Sequence, residues 1–235
     1  MTGILAAEQL LNGLQLGILL FLVSAGLTLV FGVMRIVNLA HASFYMLGAY
    51  FAVTFTNWTG SLLAGIVLAT AAAAAAGVAV ERVVVARLYR REPLDQLLAT
   101  FGLVLFFDAL APLLWGHAGL TLPLPPGLSG SVPVLPGLAY PIWRLVILAS
   151  GVAVAVLLAI LVARTRAGMW MRAGASDPDT AEAMGVNLPL LFTGVFALGA
   201  ALAGLAGVLT APLMTVRTGM GNDILVLAFV VVVVG

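Results

Sequence analysis

The chain has 235 residues, of which 63% are apolar and 8% charged, with a net charge of +1 and a mean hydropathy of +1.20. About a quarter of the residues in a typical soluble domain are charged, so this composition excludes a soluble protein. It predicts an all-α polytopic membrane protein in contact with lipid. The chain contains no lysine and no cysteine, which excludes an ATPase phosphate-binding loop, disulfides and thiol catalysis.

Hydropathy divides the chain into apolar runs that are compared with the roughly 20 residues needed to cross a bilayer. The six predicted complete helices are Leu10 to Val33, Ala42 to Thr56, Ser61 to Val80, Leu97 to Trp115, Ile142 to Ala163 and Leu190 to Leu213. A seventh run, Ile224 to Val234, is too short to cross and predicts a partial helix. The proline-rich segment Gly116 to Pro141 predicts a loop. We expect residues 1–235 to form a single transmembrane domain whose C-terminal helices are missing from this sequence.

The distribution of arginine predicts the orientation, because positive charges in short loops mark the cytoplasmic side of a membrane protein. One side of the predicted spans has Arg35, Arg82, Arg87, Arg90, Arg91, Arg164, Arg166 and Arg172. The other side has Arg144 and Arg217. We therefore expect the N-terminus and the proline-rich loop to be extracytoplasmic. The N-terminal segment lacks the features of a cleaved signal peptide, so the first helix is expected to stay in the membrane.

The first two predicted helices are separated by Arg35, Asn38 and His41. An unpaired polar side chain in hydrocarbon costs several kcal/mol, so this segment is either the membrane boundary or a region that faces protein and water. If the helix continues, Asn38, His41, Tyr45 and Gly48 share one polar, small face. These four residues are candidates for lining a pathway or holding a broken helix. His41 alone is also compatible with a buried structural histidine.

Asp108 is the one acid well inside a predicted span. An intramembrane carboxylate is a functional hypothesis by default, which makes Asp108 a pathway candidate. It also lies close enough to the outer end of its helix to be hydrated, in which case it needs no transport role.

The last complete helix has small residues spaced four apart, at Gly199, Ala203 and Gly207. A ridge of small residues lets another helix approach closely in a membrane. We expect this ridge to be a packing surface.

The polar segment before the last complete helix has the pattern of a short independent helix. Ser176 is the predicted N-cap, with Asp179 as its capping-box acid, and Asp177 favours the positive end of the helix. Gly185 offers a left-handed C-terminal stop. The predicted helix, Asp177 to Met184, is too polar to cross a membrane and is expected to lie in the cytoplasm. It is either a solvated loop helix or a docking element.

Two segments carry ordered motifs at fixed spacing. The first is Gly32-x-x-Arg35-Ile36-Val37-Asn38-Leu39-Ala40-His41, followed by Tyr45-Met46-Leu47-Gly48-Ala49-Tyr50. The second is R-A-x-A-x-D-x-x-x-A-x-x-M-G-V-N, from Arg172 to Asn187. Both are similar to segments of the membrane permease subunits of bacterial branched-chain amino-acid ABC importers. The second segment resembles the coupling loop of that family, in which a short helix docks into a groove of an ATPase.

The resemblance implies which residues couple to the ATPase and which partners the chain has. The expected coupling residues are Arg172, Asp177, Ala181, Glu182, Ala183, Gly185 and Asn187. The implied partners are a second related permease subunit, two cytoplasmic ATP-binding subunits and an extracytoplasmic substrate-binding protein. ATP and Mg²⁺ are expected in the partner subunits. We expect this chain to hold no cofactor or metal and to have no nucleic-acid partner.

The predicted function is that of a multi-pass permease subunit in the bacterial inner membrane. It translocates branched-chain or similar neutral amino acids and is driven by ATP hydrolysis in its partners. Carriage of urea or a short amide is an alternative, because relatives in the family carry these. A stand-alone channel or secondary carrier is a further alternative. An intramembrane enzyme is not favoured, because the only histidines are His41 and His117 and neither H-E-x-x-H nor G-x-S-x-G occurs.

Overall fold

A computed structural model describes residues 2–89 and 91–234. The α-helices are α1 (Thr2–Met34), α2 (His41–Thr59), α3 (Leu62–Val83), α4 (Pro93–Trp115), α5 (Ile142–Arg164), α6 (Arg166–Ser176), α7 (Pro178–Ala183), α8 (Leu188–Thr210) and α9 (Met220–Val234). A short 3₁₀ turn covers Val85–Arg87, and the strands β1 (Ser131–Leu135) and β2 (Leu138–Pro141) pair antiparallel. Arg90, one of the arginines used to predict the orientation, lies outside the described residues.

The prediction of an all-α polytopic membrane protein is confirmed. Within the described residues, five helices are long and apolar enough to cross a membrane: α1, α3 with the turn that follows it, α4, α5 and α8. Helix α2, predicted as a further span, differs from these five helices because every residue from His41 to Tyr50 is buried. A helix surrounded by protein tolerates polar residues that lipid would reject. Helix α9 is the shorter apolar helix expected near the end of the sequence.

Four helices begin two or more residues before the apolar runs that predict them. The predicted starts at Leu10, Leu97, Leu190 and Ile224 are wrong, because the helices begin at Thr2 (α1), Pro93 (α4), Leu188 (α8) and Met220 (α9). Hydropathy underestimates α4, α8 and α9 because their first turns are polar or contain proline, and α1 because polar residues interrupt its first apolar residues. Proline is well suited to a first turn, where the amide hydrogen it lacks would have no intrahelical partner.

Helix α8 lies at the centre of the protein and packs against α1, α2 and α3. A Cβ on Gly207 would overlap the carbonyl group of Tyr45 on α2, and one on Gly199 would lie 3.0 Å from the carbonyl oxygen of Gly26 on α1. Ala203, between the two glycines, is fully buried. The predicted packing role of this ridge is confirmed.

Aromatic side chains fill the core around the buried half of α2. The ring of Phe44 lies 6.1 Å from that of Phe107 on α4 and 5.8 Å from that of Phe196 on α8. On the other side of α8, the indole nitrogen of Trp143 on α5 donates to the carbonyl oxygen of Leu209 at 3.0 Å. These contacts hold α2, α4 and α5 around the central helix.

The segment Gly116 to Pro141, predicted to be a loop, contains the β1–β2 hairpin. Ser131 pairs with Pro141 across the two strands, and Gly137 in the turn has a φ of +85°. Glycine adopts this angle without the strain that a Cβ would cause. The hairpin escapes sequence analysis because β1 is exposed along its whole length and because prolines interrupt both strands.

Candidate functional site

The helix that starts at the N-terminus is broken between α1 and α2. Arg35, the first residue of the break, has a φ of +55°, in the left-handed region that residues with a side chain rarely adopt. The continuous polar face considered from the sequence therefore does not form. Asn38 lies in the connection, whereas His41, Tyr45 and Gly48 lie in α2.

The His41 ring lies inside the protein and is 1% exposed. Its Nε2 is 3.1 Å from the carbonyl oxygen of Val23 on α1, a geometry that requires the proton on Nε2. The α1 backbone approaches so closely that a Cβ on Gly26 would lie 3.0 Å from the ring. His41 thus fastens the start of α2 to α1. This is the geometry of a structural histidine, one of the two interpretations considered from the sequence.

The Asn38 side chain is completely buried in the break. Neither its Oδ1 nor its Nδ2 has a hydrogen-bond partner among the described residues. Leaving a buried polar group unpaired costs roughly 1–3 kcal/mol. The break therefore combines a strained backbone at Arg35 with an unsatisfied amide at Asn38. Such features concentrate where a protein changes its conformation.

Tyr45 and Gly48 have different surroundings although both lie in α2. A Cβ on Gly48 would overlap the carbonyl group of Gly204 on α8, so Gly48 is a packing residue. Tyr45 lines an open cavity of about 330 Å³. Of the four residues proposed from the sequence around the break, Tyr45 is the one that lines this cavity.

The cavity lies beside the connection from α8 to α9, which we call the α8–α9 connection (residues 211–219). Its lining residues are Tyr45, Met214, Thr215, Arg217, Met220, Asp223, Ile224 and Leu227. Nη2 of Arg217 lies 2.7 Å from Oδ2 of Asp223, and the two side chains are 61% and 69% exposed. An opposite pair of charges therefore stands at the edge of a mostly apolar cavity.

Asp108 lies next to this region without lining the cavity. The amide Nδ2 of Asn222 donates to Oδ2 of Asp108 at 3.1 Å, which joins α4 to the start of α9. Asp108 is half-buried, and its pathway role stays a prediction. Across residues 2–89 and 91–234, no group of three or more acidic or histidine side chains is arranged to hold a metal ion.

The predicted docking helix lies at the opposite end of α8 from the cavity. Helix α8 has 23 residues and is therefore about 34 Å long at 1.5 Å per residue; α7 comes before its start and the α8–α9 connection after its end. The predicted docking helix corresponds to α7, and the predicted range Asp177 to Met184 is one residue too long at each end. The polar segment before it, for which the sequence analysis predicts no helix, forms helix α6.

The predicted N-cap of α7 at Ser176 is wrong. Ser176 ends α6, and Oδ1 of Asp177 accepts a hydrogen bond from the backbone nitrogen of Thr180 at 3.1 Å. Asp179 is not paired with Ser176 as a capping box would require. Hydrogen bonds from the Thr180 hydroxyl and backbone lower the pKa of the Asp177 carboxyl. Asp177 is therefore ionised at neutral pH, at the positive end of α7.

The residues of α7 divide between an inner and an outer face. Ala181 is buried, at 3% exposure, and therefore packs inside the protein. Glu182 and Ala183 are exposed, and Met184 is 81% exposed. The exposed surface at α7 therefore includes Glu182, Ala183 and Met184, whereas Ala181 is covered within this chain, and its predicted coupling role stays a prediction.

The other predicted coupling residues hold the neighbouring elements in place. Arg172 donates to the carbonyl oxygen of Val162 on α5. Gly185 ends α7 with a φ of +90°, and the side chain of Asn187 caps α8 by accepting a hydrogen bond from the Leu190 nitrogen at 3.0 Å. Arg172 therefore joins α6 to α5, whereas Gly185 and Asn187 shape the turn between α7 and α8.

Glu81, at the end of α3, is a buried acid that sequence analysis did not single out. It is 2% exposed, and its carboxylate accepts hydrogen bonds from the Tyr89 hydroxyl and, at 2.7 Å, from the Thr193 hydroxyl. Burial and the hydrogen bond to Glu81 raise the pKa of Tyr89, which therefore stays a neutral donor. The available signal was a lone acid at the end of an apolar helix, in a segment otherwise rich in arginine.

Among the described residues, the arginines predicted to be cytoplasmic lie towards the α7 end of the protein. Arg35 donates from Nη2 to the carbonyl oxygen of Ala175 in α6 at 3.1 Å. The ring of Tyr89 lies 5.1 Å from that of Phe192, which brings the loop after α3 to the start of α8. Arg144 contacts Asn12 near the start of α1, at the opposite end. The grouping of charges therefore agrees with the predicted one, while the side of the membrane stays a prediction.

Residues 9–235 match the family model described as the permease component of the branched-chain amino acid transport system. Relatives include the high-affinity branched-chain amino acid transport system permease proteins LivH of Escherichia coli K12 and BraD of Pseudomonas aeruginosa. LivH is 28% identical over 222 residues and BraD 28% over 213, each match covering 86% of this chain and 69% of the relative. No solved structure matches the chain.

The match extends over nearly the whole chain and includes both the broken helix and the α6–α7 segment. It agrees with the apolar helices and with the motifs identified in the sequence. The chain belongs to the family of permease components of the branched-chain amino acid transport system.

Proposed function

We propose that this chain is the membrane subunit of an ABC importer that translocates branched-chain or similar neutral amino acids across the bacterial inner membrane. Membership in the permease family supports a transport function, and the names of the relatives LivH and BraD support branched-chain amino acids as the substrate. The structural observation that carries the proposal is the exposed helix α7, which follows directly on the end of α6, where Arg35 from the break between α1 and α2 donates its hydrogen bonds.

The proposed mechanism is mechanical, and no bond is made or broken in this chain. ATP binding and hydrolysis in two partner subunits move α7 through its outer face. Helix α6 and Arg35 pass that movement to the break, where the backbone is strained and Asn38 is unpaired. Because α8 packs directly on α1 and α2, a change at the break repacks the central helices between outward-open and inward-open arrangements.

The proposal includes a second, related permease subunit and an extracytoplasmic binding protein that delivers the substrate. The α7 end faces the cytoplasm, which puts the cavity at Tyr45 and Arg217 and the N-terminus on the extracytoplasmic side. Support for this orientation comes from the arginines grouped at the α7 end, since positive loops are retained in the cytoplasm.

The test is reconstitution with the products of the neighbouring genes. The chain is co-expressed with them, purified in detergent and inserted into vesicles, and uptake of labelled leucine, isoleucine and valine is measured with and without ATP. We expect ATP-binding subunits to co-purify and uptake to require ATP. Uptake of labelled urea or acetamide, with no uptake of leucine, would support the amide alternative. ATP-independent uptake by the chain alone would support a carrier.

A further inference from the structure

The cavity beside the α8–α9 connection combines one positive charge, one negative charge and an apolar wall. The charges are those of Arg217 and Asp223. The apolar wall comes from four side chains, Met214, Met220, Ile224 and Leu227, and Tyr45 on α2 closes the inner side. Met220, Ile224 and Tyr45 are buried, whereas Met214 and Leu227 are about half exposed. Buried side chains therefore form the base of the cavity, and half-exposed side chains form its open mouth.

Separating the two side chains of the ion pair at the mouth, so that each can bind a ligand, costs little free energy. Both side chains are more than half exposed, and an exposed ion pair contributes about 0–1 kcal/mol to stability. Its net charge is zero. A ligand with one carboxylate and one ammonium group can pair its carboxylate with Arg217 and its ammonium group with Asp223. No charge is then left unpaired.

We propose that this cavity binds the zwitterionic head and the apolar side chain of a neutral amino acid. Arg217 donates to the α-carboxylate, since guanidinium and carboxylate form strong paired hydrogen bonds, and Asp223 accepts from the α-ammonium. The aliphatic side chain lies against Met220, Ile224 and Leu227. The volume of about 330 Å³ is at the lower end of the range for small-molecule sites. This inference rests on the proposed function, because it names the residues that contact the transported substrate.

The position of the cavity fits an entry site. It is lined by residues of the α8–α9 connection, which follows the end of α8 remote from α7, and hence lies towards the proposed extracytoplasmic end. Tyr45 and His41 both belong to α2, and α2 begins directly after the break. A ligand in the cavity therefore touches the helix whose start the proposed coupling moves.

Cysteine protection tests the site without relying on transport. The chain has no native cysteine, so Met214→Cys gives a single thiol at the mouth of the cavity. In the assembled complex, leucine at ten times its dissociation constant should slow labelling of this thiol by a maleimide about tenfold, as occupancy predicts. Ser129→Cys, exposed in the loop before β1, is the matched control and should label at the same rate with and without leucine.

The charge requirement is tested with analogues and variants. The acid 4-methylpentanoate lacks the ammonium group of leucine and isopentylamine lacks the carboxylate, so neither should protect the Met214→Cys thiol at the leucine concentration. Adding Arg217→Gln or Asp223→Asn to the Met214→Cys chain should raise the leucine concentration needed for protection by about tenfold to a hundredfold, the effect of losing one charged hydrogen bond. Arg144→Gln, at the same end but outside the cavity, should leave that concentration unchanged.

A charge swap separates a ligand site from a merely structural ion pair. Arg217→Asp combined with Asp223→Arg keeps an ion pair but exchanges the two positions, and it should not restore protection by leucine. Restoration by the swap, or protection of both single variants at the leucine concentration that protects the Met214→Cys chain, would overturn the proposal.

The site and the proposed function can fail separately. If the wild-type complex takes up leucine but leucine does not slow labelling of the Met214→Cys complex, the site is wrong and the proposed function stands. If leucine protects the introduced thiol but no neutral amino acid is taken up, the site stands and the proposed function fails.

Discussion

Nη2 of Arg35 donates to the carbonyl oxygen of Ala175 at 3.1 Å, and thereby joins the broken helix to the end of α6. A second contact reaches the carbonyl oxygen of Ser176 at 3.4 Å. A positive charge at a helix C-terminus satisfies carbonyl groups that lack intrahelical partners. Asp177, the N-cap of α7, follows immediately. One side chain therefore connects the strained break with the two helices of the proposed coupling segment.

Removing this connection should uncouple transport without unfolding the protein. Arg35→Gly relieves the strain of a left-handed residue, worth roughly 1–3 kcal/mol, while it deletes both hydrogen bonds to α6. We expect unchanged or higher thermal stability together with at least a fivefold loss of ATP-driven uptake, which corresponds to about 1 kcal/mol of coupling. The measurements are the unfolding midpoint in detergent and uptake in vesicles.

The matched control for Arg35 is Arg164→Gln, which removes an exposed arginine at the same end of the protein. It should leave both stability and uptake near the wild-type values. Full uptake by Arg35→Gly would show that the contact with α6 has no part in transport.

The fit of α8 against α2 depends on the absence of a single methyl group. A Cβ at Gly207 would overlap the Tyr45 carbonyl group, which belongs to helix backbone and cannot move alone. We expect Gly207→Ala to lower stability by roughly 1–3 kcal/mol, as overpacking does, and to lower the yield of folded protein.

Gly194→Ala, in the same helix, is the control. A Cβ at Gly194 meets no described atom within 4 Å, and alanine favours a helix over glycine by roughly 0.5–1 kcal/mol. The unfolding midpoint of Gly194→Ala should therefore equal or exceed that of the wild type. Equal midpoints for the two alanine variants would mean that α8 does not approach α2 as closely as described.

The sequence was sufficient to predict the apolar helices and the position of the break. A long apolar run in a membrane is stable as a helix, because the helix satisfies its own backbone hydrogen bonds. Polar residues such as Asn38 and His41 mark where contact with lipid ends. What it did not predict was the role of each polar residue. The partners that define these roles are distant in sequence: Arg35 and Ala175 are 140 residues apart, and Glu81 and Thr193 are 112 apart.

Local errors have local physical causes. Ser176 and Asp177 are both good helix caps, and the choice depends on the backbone, since Asp177 is extended while Ser176 completes α6. Ala181 and Ala183 were treated alike for docking. Two residues apart on a helix of 3.6 residues per turn they lie on opposite faces, and only the packing of α7 against its neighbours decides which face is covered.

The predicted orientation can be tested with two single-cysteine variants, because the chain has no cysteine of its own. Met184 directly follows α7 and is 81% exposed, so Met184→Cys puts an accessible thiol at that end of the protein. Ser129 lies in the exposed loop before β1. In intact cells an impermeant maleimide should label the Ser129→Cys variant, whereas the Met184→Cys variant should react only after permeabilisation. The opposite pattern would reverse the orientation and remove α7 from the cytoplasm.

The outer face of α7 provides the most direct test of coupling, through two alanines that differ in burial. Ala183 is exposed and Ala181 is 3% exposed. Ala183→Arg puts a long charged side chain on the proposed docking face without disturbing the core, so expression and stability should be normal. Uptake should fall to background, and stimulation of ATP hydrolysis by substrate should be lost.

Ala181→Arg, by contrast, forces a charge into the packing beneath α7. Burying an unpaired charge is costly, so this variant should lose stability and assemble poorly, as measured by the unfolding midpoint and the yield of complex. The two variants thus separate a defect in docking from a defect in folding, although they introduce the same side chain two residues apart. An Ala183→Arg complex that assembles fully and transports at the wild-type rate would remove α7 from the coupling mechanism. The proposed link from the partner subunits through α6 and Arg35 to the broken helix would then lose its starting point.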